Sequence, residues 1–437
     1  MAPILVTQFA QIGLGLIDTI MAGRLSANDL ASTGIAVGLW TPVMLLFFGI
    51  ILATTPLIAK ARGEKNFTDV VSIAQNSLIL AFVLGLVAMG VMFLMPLMLP
   101  VLQVPEALIP KAARYLHFVA FGLPAVMMYA TLRCYSESLG FARPVMVIAL
   151  LALPVMIPVN YAFMYGVWGA PRLEGPGAGL ATAIIQWLSL AVLAGYIYVS
   201  KNYAHAPLFK TFYGINTQRL RNILALGLPI GMAIFFEVAI FSTASIVIAP
   251  LGELVVAAHQ VTLSITSVLF MIPMSLANAL TIRVGLHFGE QDKVALFAAQ
   301  KFGFMLATAL TFVTMVFLYT LRAPIVAIYT SDLAVAGIAV QLVLFAVAYQ
   351  LVDAWQICAA GCLRGVQETK APMWIMLFVY WGVAFPLGFY WVRYTNMGAA
   401  GIWLALVIGL SFACLLLVAK LLQVNRRLAR TLGINPL

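Results

Sequence analysis

Long apolar stretches separated by short polar connections run along the whole chain. A helix needs roughly 20 mostly apolar residues to cross the hydrocarbon core of a bilayer, because each residue advances it by about 1.5 Å. By that measure the pattern predicts an all-α integral membrane protein with twelve spanning helices. The predicted spans are residues 3–23, 31–59, 71–99, 107–135, 144–166, 177–200, 222–249, 255–283, 295–320, 333–362, 371–392 and 399–422.

The composition excludes a soluble globular protein. Of the 437 residues, 64% are hydrophobic and 9% are charged, whereas soluble proteins carry roughly a quarter charged residues. The net charge of +10 does not indicate nucleic-acid binding, because the basic residues lie in short connections between apolar segments, where membrane orientation places them. The four cysteines give no firm metal site. Neither a phosphate-binding loop nor a catalytic triad is visible, so we expect neither an enzyme nor a cofactor.

The positions of Lys and Arg predict the orientation in the membrane, because cytoplasmic loops collect these residues. With the amino terminus inside, the cytoplasmic stretches hold 18 of the 24 Lys and Arg residues. Both termini are therefore expected in the cytoplasm.

The longest polar connection divides the chain into two halves. Residues 1–200 are predicted to form one six-helix bundle, residues 201–221 a cytoplasmic linker, and residues 222–437 a second six-helix bundle with a cytoplasmic tail. At an offset of 226 residues, Pro3 matches Pro229 and the pair Gly63-Glu64 recurs. Because each half has six helices, equivalent helices run in the same direction, and the repeat is parallel.

Two carboxylates lie deep inside predicted spans. Glu237 is near the middle of the apolar run 228–249, and Asp353 shares one face of the tenth span with Tyr349 and Gln356. Holding an ionised side chain at membrane depth costs roughly 2.5 to 17 kcal/mol, so such groups usually face a protein-lined cavity and are functional. Desolvation favours the uncharged form. We therefore expect a proton or a bound cation at this pair.

A third carboxylate, Asp18, lies in the first span. It shares a stripe with Gln11 and Gly15, and a polar and small stripe suits the interior of a helical bundle. A second interpretation places Asp18 near the outer helix end, in contact with interfacial water or paired with Arg24. We retain Asp18 as a candidate for cation coupling.

Polar residues of the eighth and tenth spans are candidates for substrate contacts. Gln260, Ser264, Ser267 and Met271 form one helical stripe, which either lines a cavity or packs against a neighbouring helix. Asp332 lies at the start of the tenth span. An acidic helix cap is the ordinary explanation for that position, and an acidic outer vestibule for cations is the functional one.

Several segments resemble the NorM branch of the multidrug and toxic compound extrusion (MATE) transporters. They include GLGLIDTIMAGRLS, LGLPIGMAIFFEVAIF, VAAHQV, AYQLVDAWQ and CLRGVQETKAP, and the similarity spans essentially the whole chain. The resemblance implies two six-helix bundles in a bacterial inner membrane. It also implies export of small organic cations, such as drugs and dyes, in exchange for protons or sodium. We expect the protein to act as a monomer in the lipid bilayer.

The resemblance also implies roles for individual residues. Glu237 and Asp353 fall on the cation site of the carboxyl-terminal bundle, with Tyr349 beside it. Asp18 and Asn160 fall on the acidic site of the amino-terminal bundle. Gln260 and Asp332 fall on substrate-contact positions of the family. We add Ser264 and Met271 as candidates, because they lie on the same helical stripe as Gln260.

One departure from the family pattern bears on the coupling ion. Relatives commonly show Asn-x-Pro-x-Asn in the fifth helix, whereas this chain has Met156 four residues before Asn160. An oxygen ligand is missing, and sodium wants several of them. We therefore predict proton coupling, with sodium at Glu237 and Asp353 as the alternative.

Two other kinds of membrane protein fit this sequence less well. A flippase for lipid-linked saccharides of related fold would want cationic residues in its cavity to meet pyrophosphate, and this chain places acidic ones there. A channel or receptor would need a pore-lining motif or a ligand-specific loop, which the sequence does not show.

Overall fold

The computed structural model describes residues 1–102 and 104–430, and this part of the chain folds into fifteen α-helices with short 3₁₀ and π-helical turns. The helices are α1 (Ala2–Leu25), α2 (Ala27–Ile51), α3 (Thr54–Gly63), α4 (Phe67–Leu94), α5 (Ile109–Ala120), α6 (Leu123–Ser138), α7 (Ala142–Tyr165), α8 (Pro176–Val199), α9 (Thr217–Ile248), α10 (Glu253–Gly289), α11 (Lys293–Tyr329), α12 (Leu333–Gly365), α13 (Lys370–Met376), α14 (Phe385–Tyr394) and α15 (Ala399–Arg430).

In the described part of the chain, eleven helical stretches are long and apolar enough to cross a membrane, and the bent pair α5 and α6, taken as one span, is the twelfth. The prediction of an all-α membrane protein with twelve spans is thereby confirmed. The predicted fourth span, 107–135, is broken by a bend of 43°. Pro124 lies in the first turn of α6 and has no N–H to donate, so the hydrogen-bond ladder from α5 cannot continue through it.

The eleventh span also departs from a regular α-helix. A π-helical segment, Leu377–Ala384, joins α13 to α14. Pro386 follows directly, in the first turn of α14. A proline removes one backbone donor, and wider π-turns are a common local adjustment of a helix. The segment shifts the faces on which its side chains lie, including the face of Tyr380.

The described chain forms two compact units. One comprises the described residues from Ala2 to Gly231, and the other comprises Met1 with the described residues from Met232 onward, so the division falls inside α9. In the first unit α4 packs on α6, and α1 and α8 pack on α7. In the second unit α12 packs on α10, α11 and α15. Gly361 allows α12 to approach α10 closely, because a Cβ there would lie 2.6 Å from the carbonyl oxygen of Ala277.

The connection between the sixth and seventh spans lies against α4 of its own unit. Gln75 Nε2 donates to Leu208 O over 2.8 Å, and Gln75 Oε1 accepts from Tyr213 N over 3.1 Å. Asn76 Oδ1 accepts from Asn216 N over 2.8 Å. The predicted linker is therefore attached along its length to the amino-terminal unit.

Candidate cation and substrate sites

Glu237 is the centre of a hydrogen-bonded group in the carboxyl-terminal unit. Gln356 Nε2 donates to Glu237 Oε1 over 3.1 Å. The Tyr380 hydroxyl lies 3.1 Å from Gln356 Oε1 and 3.4 Å from Glu237 Oε1. Gln356 and Tyr380 are fully buried. Helix α9, helix α12 and the π-helical segment each contribute one side chain, so the group depends on tertiary packing.

Asp353 lies on α12 one turn before Gln356 and is 8% exposed. It interacts electrostatically with Glu237. Within residues 1–102 and 104–430, no hydrogen-bond donor reaches the Asp353 carboxylate. Two carboxylates that share a dry region repel each other when both are ionised, so one proton or one cation there stabilises the pair.

Two further residues of α12 act on this carboxylate pair. Tyr349 lies one turn before Asp353, is buried, and interacts electrostatically with it. Arg364, at the end of the same helix, has a favourable electrostatic interaction with Glu237. Sequence position alone does not bring Arg364 to this pair, because it lies in the last turn of α12 and only its long side chain extends toward Glu237.

Asp18 lies in a second buried group, in the amino-terminal unit. Asn160 Nδ2 donates to Asp18 Oδ1 over 2.7 Å, and Thr182 Oγ1 donates to Asp18 Oδ2 over 2.8 Å. These bonds join α1, α7 and α8. In the described part of the chain, the amide oxygen of Asn160, Oδ1, has no hydrogen-bond partner. Met156 lies one turn before Asn160 and is buried in an apolar cluster. Asp18 therefore bonds to Asn160 and Thr182, and the alternative pairing with Arg24 is not what the structure shows.

The predicted substrate residues lie on the surface of their unit. Gln260 and Ser264 are exposed, and Met271 is half-buried. Gln260 Nε2 donates to Ser245 Oγ over 3.2 Å, and the Ser264 hydroxyl donates to Gln260 O over 2.9 Å. The structure brings neither of these residues into hydrogen-bond contact with the carboxylate pair in the described chain. Their role in substrate contact stays a prediction.

Asp332 caps the amino terminus of α12. Its Oδ1 accepts from Ala334 N over 2.8 Å and from Val335 N over 3.3 Å, and the side chain is exposed. A helix-capping role therefore accounts for the local geometry of Asp332. A substrate contact at Asp332 stays a prediction.

Sequence reasoning missed two residues of the acidic groups, Tyr380 and Thr182. Thr182 lies in an apolar span, where a hydroxyl can bond to its own helix, so its presence carries no signal. Tyr380 lies in the π-helical segment, and no regular periodicity predicts its face. Over residues 1–102 and 104–430, no three His, Cys, Asp or Glu side chains lie close enough together to hold a metal ion.

Comparison with known proteins identifies the family. The MatE family model matches residues 3–162 and 229–390, so its two matches begin 226 residues apart. The chain is 57% identical to the probable multidrug resistance protein NorM of Acinetobacter baylyi over 430 residues, covering 98% of this chain and 96% of that protein. It is 38% identical to the multidrug resistance protein NorM of Vibrio cholerae serotype O1, covering 97% and 94%.

Solved structures show the same fold. A eukaryotic MATE transporter superposes with a TM-score of 0.89 at 18% identity, covering 98% of this chain and 96% of that one. A MATE family transporter in an outward-facing conformation gives a TM-score of 0.88 at 18% identity, covering 98% and 95%. The fold is the one that these two solved structures share, and the NorM relatives make the protein a transporter rather than an enzyme. The chain belongs to the MatE family, in its NorM branch.

Proposed function

We propose that the protein exports amphipathic organic cations in exchange for protons that enter the cell. The observation that carries this proposal is a pair of carboxylates inside the carboxyl-terminal unit, the half-buried Glu237, which Gln356 holds by a hydrogen bond, and the buried Asp353. The relatives from Acinetobacter and Vibrio are named multidrug resistance proteins, which supports a broad range of small-molecule substrates. Acidic rather than basic residues in the buried group favour cationic substrates over the pyrophosphate of a lipid-linked saccharide.

The surroundings of the buried carboxylates favour binding of a proton over binding of a sodium ion. Both oxygens of Asp18 already accept hydrogen bonds from protein donors, whereas sodium would need those oxygens as ligands. Met156 offers a thioether in place of an amide oxygen beside Asn160. In the other unit, a single proton shared by Glu237 and Asp353 removes their repulsion without further ligands. Sodium there would have to recruit Gln356 or a tyrosine hydroxyl.

In the proposed cycle, Glu237 and Asp353 attract a cationic drug while they carry negative charge. A proton that arrives from outside neutralises one carboxylate and weakens this attraction, so the drug is released outside. Return of the proton to the cytoplasm restores the negative charge. The proposal places the protein in a bacterial cytoplasmic membrane as a monomer with both termini inside.

The test is transport of ethidium by the purified protein in proteoliposomes. We expect ethidium movement under a pH gradient in sodium-free buffer, and none above background under a sodium gradient at uniform pH. Empty liposomes with the same gradients are the control. Transport that follows only the sodium gradient would refute proton coupling.

A further inference from the structure

A fully buried histidine in the carboxyl-terminal unit belongs to neither acidic group. His259 Nδ1 accepts a hydrogen bond from Trp403 Nε1 over 3.1 Å, and His259 Nε2 lies 3.1 Å from Ser245 Oγ. An indole N–H can only donate, so Nδ1 carries no hydrogen and the imidazole hydrogen resides on Nε2. His259 therefore donates to Ser245, and Trp403 fixes its tautomer.

Ser245 continues this chain to the surface. Its Oγ also accepts from Gln260 Nε2 over 3.2 Å. Ser245 lies on α9 and Gln260 on α10, so the bond ties an exposed side chain to the neighbouring helix. Because Nε2 is engaged, the amide oxygen of Gln260 remains as a hydrogen-bond acceptor at the surface.

The inner end of the chain reaches the acidic group. The rings of Trp403 and Tyr349 are nearly parallel, with centroids 6.3 Å apart and planes inclined by 14°. Tyr349 in turn lies one turn before Asp353 and interacts with it electrostatically. In order from the carboxylate outward, the chain is Tyr349, Trp403, His259, Ser245 and Gln260.

We propose that His259 is a positioning residue for substrate specificity: through Ser245 it holds Gln260 with the amide oxygen outward, to accept a hydrogen bond from an N–H group of an organic cation. This inference rests on the proposed function. An amide held in one orientation loses less conformational freedom when it binds a ligand. The arrangement favours cations with N–H donors over cations of the same charge that have none.

Two cations of equal charge separate this role from a general structural one. Ethidium carries aromatic amino groups, and tetraphenylphosphonium has no N–H group. We expect His259→Phe, which keeps a ring but removes both nitrogens, to weaken ethidium binding by roughly three- to tenfold, the range of one hydrogen bond. The affinity for tetraphenylphosphonium should stay within roughly twofold. Trp403→Phe keeps the stacked ring, removes the donor and should act in the same direction.

A double-mutant cycle tests whether His259 acts through Gln260. Gln260→Ala should weaken ethidium binding as His259→Phe does, and the double variant should show no further loss. Thr262→Val is the matched control, because Thr262 is fully buried on α10 and its hydroxyl donates within its own helix, to Ala258 O. It should leave both affinities unchanged. Equal losses for the two cations, or additive losses in the double variant, would overturn the proposal.

The hydrogen-bond chain can be judged separately from substrate binding. In protein labelled with ¹⁵N-histidine, the His259 signals should show hydrogen on Nε2 only, and Trp403→Phe should produce a mixture of tautomers. Failure of the wild-type protein to bind either cation would count against the proposed function. Hydrogen on Nδ1 in the wild-type protein would leave Ser245 without this donor and would overturn the positioning role itself.

Discussion

Glu237 and Asp353 differ in their burial and in the hydrogen-bond donors that surround them. Glu237 accepts one hydrogen bond from Gln356 and lies within reach of the Tyr380 hydroxyl. Asp353 is more buried and lies beside Tyr349 on its own helix. Each donor near a carboxylate stabilises its ionised form, and burial opposes it. Hydrogen-bond donors therefore stabilise the charge on Glu237. The charge on Asp353 is stabilised most when a proton or a cation binds there.

We predict that Glu237→Gln and Asp353→Asn each lower pH-driven ethidium transport at least tenfold. Both changes keep the shape of the side chain and remove the group that takes up a proton. Proton binding can then no longer drive release of the drug. The measurement is initial transport rate in proteoliposomes with equal amounts of protein.

The control for these variants is Glu253→Gln, the same substitution at an exposed carboxylate in the first turn of α10. It should transport at the wild-type rate. Size-exclusion profiles of all three variants should match that of the wild type, which shows that the loss lies in transport rather than folding. Near-normal transport by either buried variant would mean that the pair is not the coupling site.

The side chains of these sites could be predicted only in part. The five candidate coupling residues, Glu237, Asp353, Tyr349, Asp18 and Asn160, follow from depth in an apolar span and from family resemblance, and the structure places them in two groups. Their partners do not follow in the same way. Hydroxyl, amide and imidazole groups are ordinary in apolar spans, and only tertiary packing shows which of them meet a carboxylate.

At the scale of elements, hydrophobic length predicts the spans well and their irregularities poorly. The predicted tenth span, 333–362, corresponds to α12, Leu333–Gly365. The predicted eleventh span, 371–392, contains a π-helical segment that its composition does not reveal. Hydropathy reports how much of a helix is apolar. A bend or a π-turn depends instead on the position of a proline and on the packing of the residues around it.

The attachment of the linker to α4 gives an element-scale prediction. We expect Gln75→Ala to speed cleavage by trypsin at Lys210 at least fivefold. Gln75 donates to Leu208 O and to Thr211 O, on either side of Lys210. Without these bonds the segment should open more often, and cleavage follows the population of the open form. The measurement is limited proteolysis in detergent, followed by mass spectrometry of the fragments.

The control for the linker is Ser77→Ala. Ser77 is also buried on α4, and its hydroxyl has no hydrogen-bond partner in the described chain. This variant removes a buried polar group from the same helix without touching the linker. Equal cleavage rates for the two variants would show that Gln75 does not hold the segment in place.

At the scale of the whole molecule, one scaffold occurs twice and carries different chemistry in each copy. The family model matches both halves, beginning at residues 3 and 229. At this offset Glu237 corresponds to Gln11, whose side chain lies 3.4 Å from Arg133, and Asp18 corresponds to Ala244, which is buried in an apolar core. The repeat therefore preserves the helices, and each unit has its own acidic group.

A parallel repeat and the distribution of Lys and Arg make a joint prediction about membrane topology. Cysteines introduced at Glu106 and Met397 should react with a membrane-impermeant maleimide in intact cells. Cysteines at Asn202 and Arg426 should react only after the membrane is made permeable. All four positions are exposed on their own units. The reason is that 18 of the 24 basic residues fall on one side when the amino terminus is inside.

The wild-type chain is the background control for this labelling, because its four cysteines, Cys134, Cys358, Cys362 and Cys414, are all buried and should react little. Asn202 follows the sixth span and Arg426 follows the twelfth, so a parallel repeat requires both on the same face of the membrane. Labelling of these two from opposite sides would exclude a parallel repeat. Labelling of both from outside would keep the repeat and reverse the orientation, which the positive charge of the inner loops opposes.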